Sequence, residues 1–308
     1  MPVPAAIPAE ARDAILAWYA LTGRPLAFRR TRDPYAILVA EVMAQQTQAD
    51  RAAAFWERFM TRFPTVGVLA AATPADVLRV WQGLGYDRRA VGLWRMARMV
   101  VDTHGGRIPS TVTALEGLPG VGPYTARAVA AFAFGLPVGA VDVNVRRVLS
   151  RIVAGIGSMG AVAVQATANA SVPLVGAGEW THALMDLGAT ICRARAPRCP
   201  ACPAQSWCAY AAAGEGVAGP TVRPQPGRHA VREPAAPFAS TNRWLRGRIL
   251  DRLRAAPDGT WVTLDEGIGE HGPARVREAA TRMAADGVIE LQADAQATDP
   301  LRARLPLA

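Results

Sequence analysis

The sequence predicts an all-α protein ending in a small α+β unit, and three observations carry that expectation. Apolar residues recur at helical spacing through most of the first 210 residues. Pro and Gly punctuate those segments at short intervals. Beyond Cys208 the texture changes to an aperiodic stretch and then to alternating helix and strand patterns.

In chain order, Arg12–Tyr19, Tyr35–Gln48, Ala52–Arg62, Pro74–Trp81, Arg88–Thr103, Tyr124–Phe134 and Asn144–Val153 each repeat apolar residues three and four apart. Residues 214–238 are rich in Pro, Gly and Arg and read as a linker. Trp244–Ala255 then reads as a basic amphipathic helix, Trp261–Leu264 as a short strand and Ala274–Asp286 as a second helix. Gly287 ends that helix and Val288–Leu291 starts another strand, so the order is winged-helix-like. A duplex-binding module and a small packing domain both fit that order. The 308-residue chain, 51% hydrophobic, is long enough for two or three packed units.

A formal charge of +9 points to a polyanionic partner, either nucleic acid or an acidic membrane surface. All 34 basic residues are arginine, so no side chain can form a Schiff base. The first 13 residues lack the basic start and apolar run of a signal peptide. The longest apolar stretch, Ala128–Val141, is broken by Gly135 and Pro137. A soluble cytoplasmic protein without membrane association is expected.

Four cysteines fall at Cys192-x6-Cys199-x2-Cys202-x5-Cys208. In a cytoplasmic protein this is a metal site rather than a disulfide framework. A zinc ribbon needs two short knuckles and here there is one, so the spacing favours a [4Fe–4S] cluster while leaving zinc open. Arg193, Arg195 and Arg198 lie between the cysteines, placed to offset cluster charge or to meet phosphates.

Leu118-Pro-Gly-Val-Gly-Pro-Tyr-Thr125 links a short apolar helix to a longer one. Gly120 and Gly122 permit a tight turn whose amides face outward at a helix start, a geometry suited to phosphate or simply to a turn between packed helices. Asp142, in VDVNVRRV, sits where an N-cap belongs. Glu41, in DPYAILVAEVMAQQTQ, is an acid within an apolar helix: on its outer face it is an ordinary surface residue, and an apolar setting would instead keep it protonated.

Together these stretches, with GLGYDRRA at 83–90 and ALMDLGATIC at 183–192, resemble the endonuclease III superfamily of helix-hairpin-helix DNA glycosylases. Glu41 within its motif is similar to the adenine-specific (MutY-like) branch. The resemblance spans roughly residues 10–212. It implies a six-helix barrel domain over 34–148 and a cluster-bearing helical domain over 1–33 and 149–213, with 239–308 as a separate basic module. It implies double-stranded DNA with a mismatched or damaged base as partner, bound by a nucleoid-associated monomer. Asp142 and Glu41 are the implied catalytic carboxylates, supported by Tyr124 and Asn144. Gln46 and Tyr86 match residues that enter the duplex, and Leu118, Gly120, Val121, Gly122 and Thr125 form the hairpin that grips its backbone. Arg24, Phe28, Arg29 and His182 match positions around a flipped base. The four cysteines match the cluster ligands.

The implied activity is hydrolysis of adenine mispaired with 8-oxoguanine or guanine. Uracil or thymine in a G mismatch is the alternative substrate, and a noncatalytic damage sensor is the alternative of another class. Bifunctional relatives carry lysine where this chain has Tyr124, so strand cleavage is not expected. Ala44, Phe28, Val143, Asp87 and His182 depart from the usual adenine-branch pattern. The 70 residues after Phe238 are too short for the Nudix-like domain of typical members, which puts 8-oxoguanine recognition in question.

Overall fold

The structure is a computed structural model that describes residues 6–155, 157–214, 237–292 and 300–307. Helices α1 (Ala9–Thr22), α2 (Pro34–Ala44), α3 (Ala49–Arg62), α4 (Val66–Ala71), α5 (Pro74–Val80) and α6 (Arg88–His104) come first. They are followed by α7 (Val112–Glu116), α8 (Pro123–Phe134), α9 (Val143–Ala154), α10 (Ala161–Ser171), α11 (Ala177–Thr190) and α12 (Ala209–Ala212). The C-terminal part contains α13 (Asn242–Ala255), β1 (Val262–Thr263), α14 (Pro273–Ala285), β2 (Glu290–Leu291) and β3 (Arg302–Arg304). No helix among the described residues is long and apolar enough to cross a membrane.

The predicted helix over Tyr35–Gln48 stops four residues early, at Ala44. Gln46 adopts a φ of 55°, which a right-handed helix cannot accommodate. The predicted linker lies almost wholly outside the described residues. β3 went unread because Arg-Ala-Arg has no apolar run; only Ala303 is fully buried. It pairs antiparallel with both other strands, giving the order β1-β3-β2.

The chain divides into two compact units. Over its described residues, one comprises Met1–Glu41, Ile108–Gly117 and Val121–Arg228. Its core gathers Ile15 of α1, Val148 and Leu149 of α9, and Trp180, Leu184 and Leu187 of α11. The apolar stripe of α9 and the nearly all-round burial of α11 explain why these two helices form its centre. The other unit comprises Val42–Arg107, Leu118–Gly120 and His229–Ala308. Phe59, Phe63 and Trp81 form its aromatic core, with Phe59 edge-on to Trp81 at 6.0 Å. The C-terminal module is docked within it. Arg254, 8% exposed, pairs with Asp87 at 2.8 Å and donates to the Leu78 carbonyl.

Gly188 sets the spacing of α11 and α9. A Cβ there would lie 2.6 Å from the Cβ of Asn144, so the approach requires glycine. Gly188→Ala is expected to lower stability by about 1–3 kcal/mol through overpacking. Urea denaturation that leaves the midpoint unmoved would show that α9 yields freely.

Candidate active site

Asp142 caps α9, its Oδ1 accepting from the Val145 amide at 2.7 Å. Its Oδ2 accepts from Asn144 Nδ2 at 3.0 Å. Asn144 is oriented in turn by Arg147, whose Nη2 donates to Asn144 Oδ1 and to the Gly188 carbonyl, both at 2.7 Å. Arg147 Nε donates to the Cys192 carbonyl at 2.6 Å. One guanidinium thus joins the start of the cysteine loop to the side chain that holds Asp142. Val143, next to the carboxylate, is 74% exposed.

Glu41, on α2, is 8% exposed and helps line a pocket of about 640 Å³ with Phe28, Arg29, Ile37, Phe132 and His182. Burial pushes its carboxyl up to about 7; a Tyr124 hydrogen bond and the Arg29 charge oppose the rise, and Asp142 adds to it. The Tyr124 hydroxyl is itself raised well above its ordinary range, chiefly by burial and next by Glu41, so it stays a neutral donor.

The pocket wall is braced by Asp186, 1% exposed. Arg29 grips it with two parallel bonds of 2.8 and 2.9 Å. Arg24 adds its backbone amide at 2.9 Å and Nε at 2.7 Å. Burial alone would raise the Asp186 carboxyl, but these donors outweigh it and hold it below its ordinary value. His182 stacks on Phe132 with centroids 4.1 Å apart. Burial, and then the Arg29 charge, push it down to about 3, so it presents a neutral imidazole. Of the residues predicted around the base, Phe28, Arg29 and His182 line the pocket, while Arg24 stands behind it on Asp186.

All four cysteines line one apolar cavity. Among the described residues no three His, Cys, Asp or Glu side chains converge on a point fit for one metal ion. Arg193, Arg195 and Arg198 are exposed, and the guanidinium at the sulfur is that of Arg151, 3.4 Å from Cys192 Sγ. Burial pushes the Cys202 thiol up to about 11.

In the hairpin Leu118, Val121 and Thr125 are buried, so their side chains serve packing. Gly120, at φ 78°, and Gly122 are exposed and have nothing within 4 Å of a would-be Cβ.

In the other unit, Gln46 and Tyr86 both adopt left-handed backbone, at φ 55° and 54°. Arg89 secures both. Its Nη1 donates to the carbonyls of Val42, Met43 and Gln45 at 2.9, 3.0 and 2.5 Å, and its Nη2 to Gly85 at 3.0 Å. Its guanidinium also lies 5.4 Å from the Tyr86 ring centroid. Arg89, Arg147, Arg151 and Asp186 were not singled out from the sequence. The available signals were the position of Arg89 within GLGYDRRA, the four-residue spacing of Arg147 and Arg151 on α9, and the one acid in the ALMDLGATIC stretch.

Residues 39–172 match the sequence profile of the HhH-GPD superfamily base excision DNA repair proteins. Adenine DNA glycosylase of Mycobacterium tuberculosis is 44% identical over 263 residues, covering 81% of this chain and 83% of that protein. The chain belongs to the adenine DNA glycosylase family. The family's Mycolicibacterium smegmatis member is 37% identical over 91% of this chain, a span that includes part of the C-terminal module. The human member is 40% identical over 210 residues, only 38% of its own length. Among solved structures, a thermostable thymine-DNA glycosylase aligns with a TM-score of 0.62 at 30% identity, covering 66% of this chain and 95% of its own. An endonuclease III–DNA complex aligns at 0.58 and 25% identity, covering 66% and 94%.

Arg89→Lys keeps the charge but loses the fork. Exchange of the Thr47 and Leu84 amides, which bond Ala44 and Trp81, is expected to quicken about tenfold, worth about 1.4 kcal/mol. Unchanged exchange at both would mean that the two strained turns hold themselves.

Proposed function

We propose that this protein is a monofunctional DNA glycosylase that hydrolyses the N-glycosidic bond of adenine mispaired with 8-oxoguanine or guanine in duplex DNA. The observation that carries the reading is Glu41, a pocket carboxyl brought up to about 7 by burial. It can be protonated at neutral pH, as a general acid must be.

The adenine leaves the stack and enters the pocket. Glu41 gives its proton to a ring nitrogen of the base. The bond from C1′ to the base then breaks, with its electron pair passing to the protonated base. Asp142, fixed by the Val145 amide and Asn144, offsets the positive charge that develops on the sugar. Water adds to C1′ and releases a proton. Gln46 fills the gap in the stack, Tyr86 lies beside the opposing base, and the amides around Gly120 and Gly122 hold a phosphate. With no lysine in the chain no side-chain Schiff base forms, and the abasic strand stays intact. The same reading makes the protein a soluble, nucleoid-associated monomer.

The four cysteines suit a [4Fe–4S] cluster by their chemistry. The donor set carries that reading: four cysteines line one apolar cavity, and each iron of such a cluster takes one Cys thiolate. Cys192, Cys199, Cys202 and Cys208 would hold it. When bound, it cross-links residues 192–208 and so steadies the Cys192 carbonyl on which Arg147 rests. Purified protein is expected to absorb at about 400 nm and to lose that band in Cys202→Ala. Stoichiometric zinc without the band would replace the assignment.

The likeness to a thymine-DNA glycosylase makes pyrimidine excision the alternative. Single-turnover assays on duplexes with A opposite 8-oxoguanine, A opposite G, U opposite G and T opposite G decide between them. Alkali-dependent breaks in the adenine strand alone are expected; release of U or T instead would transfer the activity to pyrimidines. Glu41→Gln is expected to slow adenine release about 10²–10⁴-fold. The parent rate should hold below pH 7 and fall about tenfold per unit well above it, because the acid form of Glu41 is lost there. A rate that rises across that range would give Glu41 the role of base.

A further inference from the structure

The C-terminal module presents a charged groove that the catalytic pocket does not use. The groove holds about 750 Å³ and runs between α13 and the Gly83–Arg88 turn, with Tyr86, Arg88, Asn242, Arg243 and Arg248 on its walls. Its aspartates are already engaged. Asp87 is taken by Arg254 at 2.8 Å, Asp286 by Arg246 at 2.8 Å and Asp251 by Arg248 at 2.5 Å. Among the described residues, Arg88 and Arg243 have no carboxylate partner, and both are exposed. The lining therefore keeps an uncompensated positive charge that only an incoming anion can meet.

An aromatic ring stands within that charge. Tyr86 is 43% exposed, and the Arg243 guanidinium lies 5.6 Å from its centroid. The Arg89 guanidinium lies 5.4 Å from the same centroid, so two cations lie close to the ring. A polyanion that also offers flat bases matches this pairing, with phosphates for the arginines and a base for the ring. The exposed charges of α14 are partly offset. Arg275 and Arg282 share Glu278, at 2.6 and 2.7 Å, and Arg277 lies 4.0 Å from Asp265. The helix that a winged-helix analogy would place in a groove of DNA is thus the more neutral of the two.

We propose that this groove is a second DNA-binding surface, which grips the sugar–phosphate backbone of the strand opposite the excised adenine. The inference rests on the reading above, in which Tyr86 lies beside the opposing base. It gives the module a function that its small size would otherwise hide. Arg243 anchors that strand and stacks on the side chain beside its unpaired base, so backbone grip and mispair contact are physically joined.

The test uses the full-length protein and duplexes whose adenosine carries a 2′-fluorine, which resists hydrolysis. Affinity is read by fluorescence anisotropy across a salt series. Arg243→Ala is expected to weaken binding about 5–10-fold and to lower the log–log salt slope by about one. Arg243→Lys should recover part of the loss, because it keeps the charge and loses the planar stack. Neutral methylphosphonates in the opposite strand, flanking the mispair, should weaken the parent but add little to Arg243→Ala. The same groups in the adenine strand should weaken both proteins equally. Coupling to the adenine strand, or an Arg243→Ala affinity equal to the parent's, would overturn the proposal. So would a loss that instead follows Arg275→Ala with Arg282→Ala. A parent that binds duplex and releases adenine while Arg243→Ala is indistinguishable sinks only this inference. A parent that does neither sinks the glycosylase reading itself.

Discussion

Asp186 is the charge around which the pocket is organised. Buried on α11, it draws Arg24 and Arg29 from the segment between α1 and α2 and so closes one wall of the cavity. Removing one partner from such a network leaves uncompensated charge in a dry site, at a cost of about 3–5 kcal/mol. Its second effect is electrostatic. By fixing the Arg29 guanidinium, it sets a cation where His182 is driven neutral and where the rise of Glu41 is tempered. The protonation of the pocket is thus decided by an ion pair behind it as well as by burial.

A related device recurs through the fold. Arginine forks, rather than capping side chains, gather backbone carbonyls at places where helices end. Arg89 takes three carbonyls at the end of α2 and one from the Tyr86 turn, and Arg147 takes those of Gly188 and Cys192. Arg151 does the same for Arg193 and Ala194 while lying against a cysteine sulfur. A planar group with five donors can bridge several segments at once, which an ammonium does less well. In a chain without lysine, basicity therefore does two kinds of work: the exposed arginines make a basic surface, and the buried ones are joints.

Most helices could be located from periodicity and Pro–Gly punctuation, because most of them bury one face against the core of their own unit. Their ends were less legible. The helix read through Gln48 stops at Ala44 because the Gln46 turn is left-handed, and that strain is held by Arg89, more than forty residues away in sequence. The three-stranded sheet was half visible: β1 and β2 lie in apolar runs, whereas β3 depends on pairing with both. Likewise the cysteine spacing pointed to a metal site, yet the three loop arginines that stood out proved exposed, and the one at the sulfur sits on α9.

The sequence by itself determined the all-helical class, the family, and the candidate carboxylates and cysteines, because each of these is a local pattern of residue type and spacing. A count alone also shows that no lysine side chain is present to form a Schiff base. Tertiary structure decided the charge states and the partners. Glu41 rises to about 7 because the fold buries it, and Asp186 becomes a brace because two arginines reach it from over 150 residues away. Arg243 meets Tyr86 because α13 docks on the Gly83–Arg88 turn. Desolvation and Coulomb interactions depend on distance in space, and a linear sequence does not carry that distance.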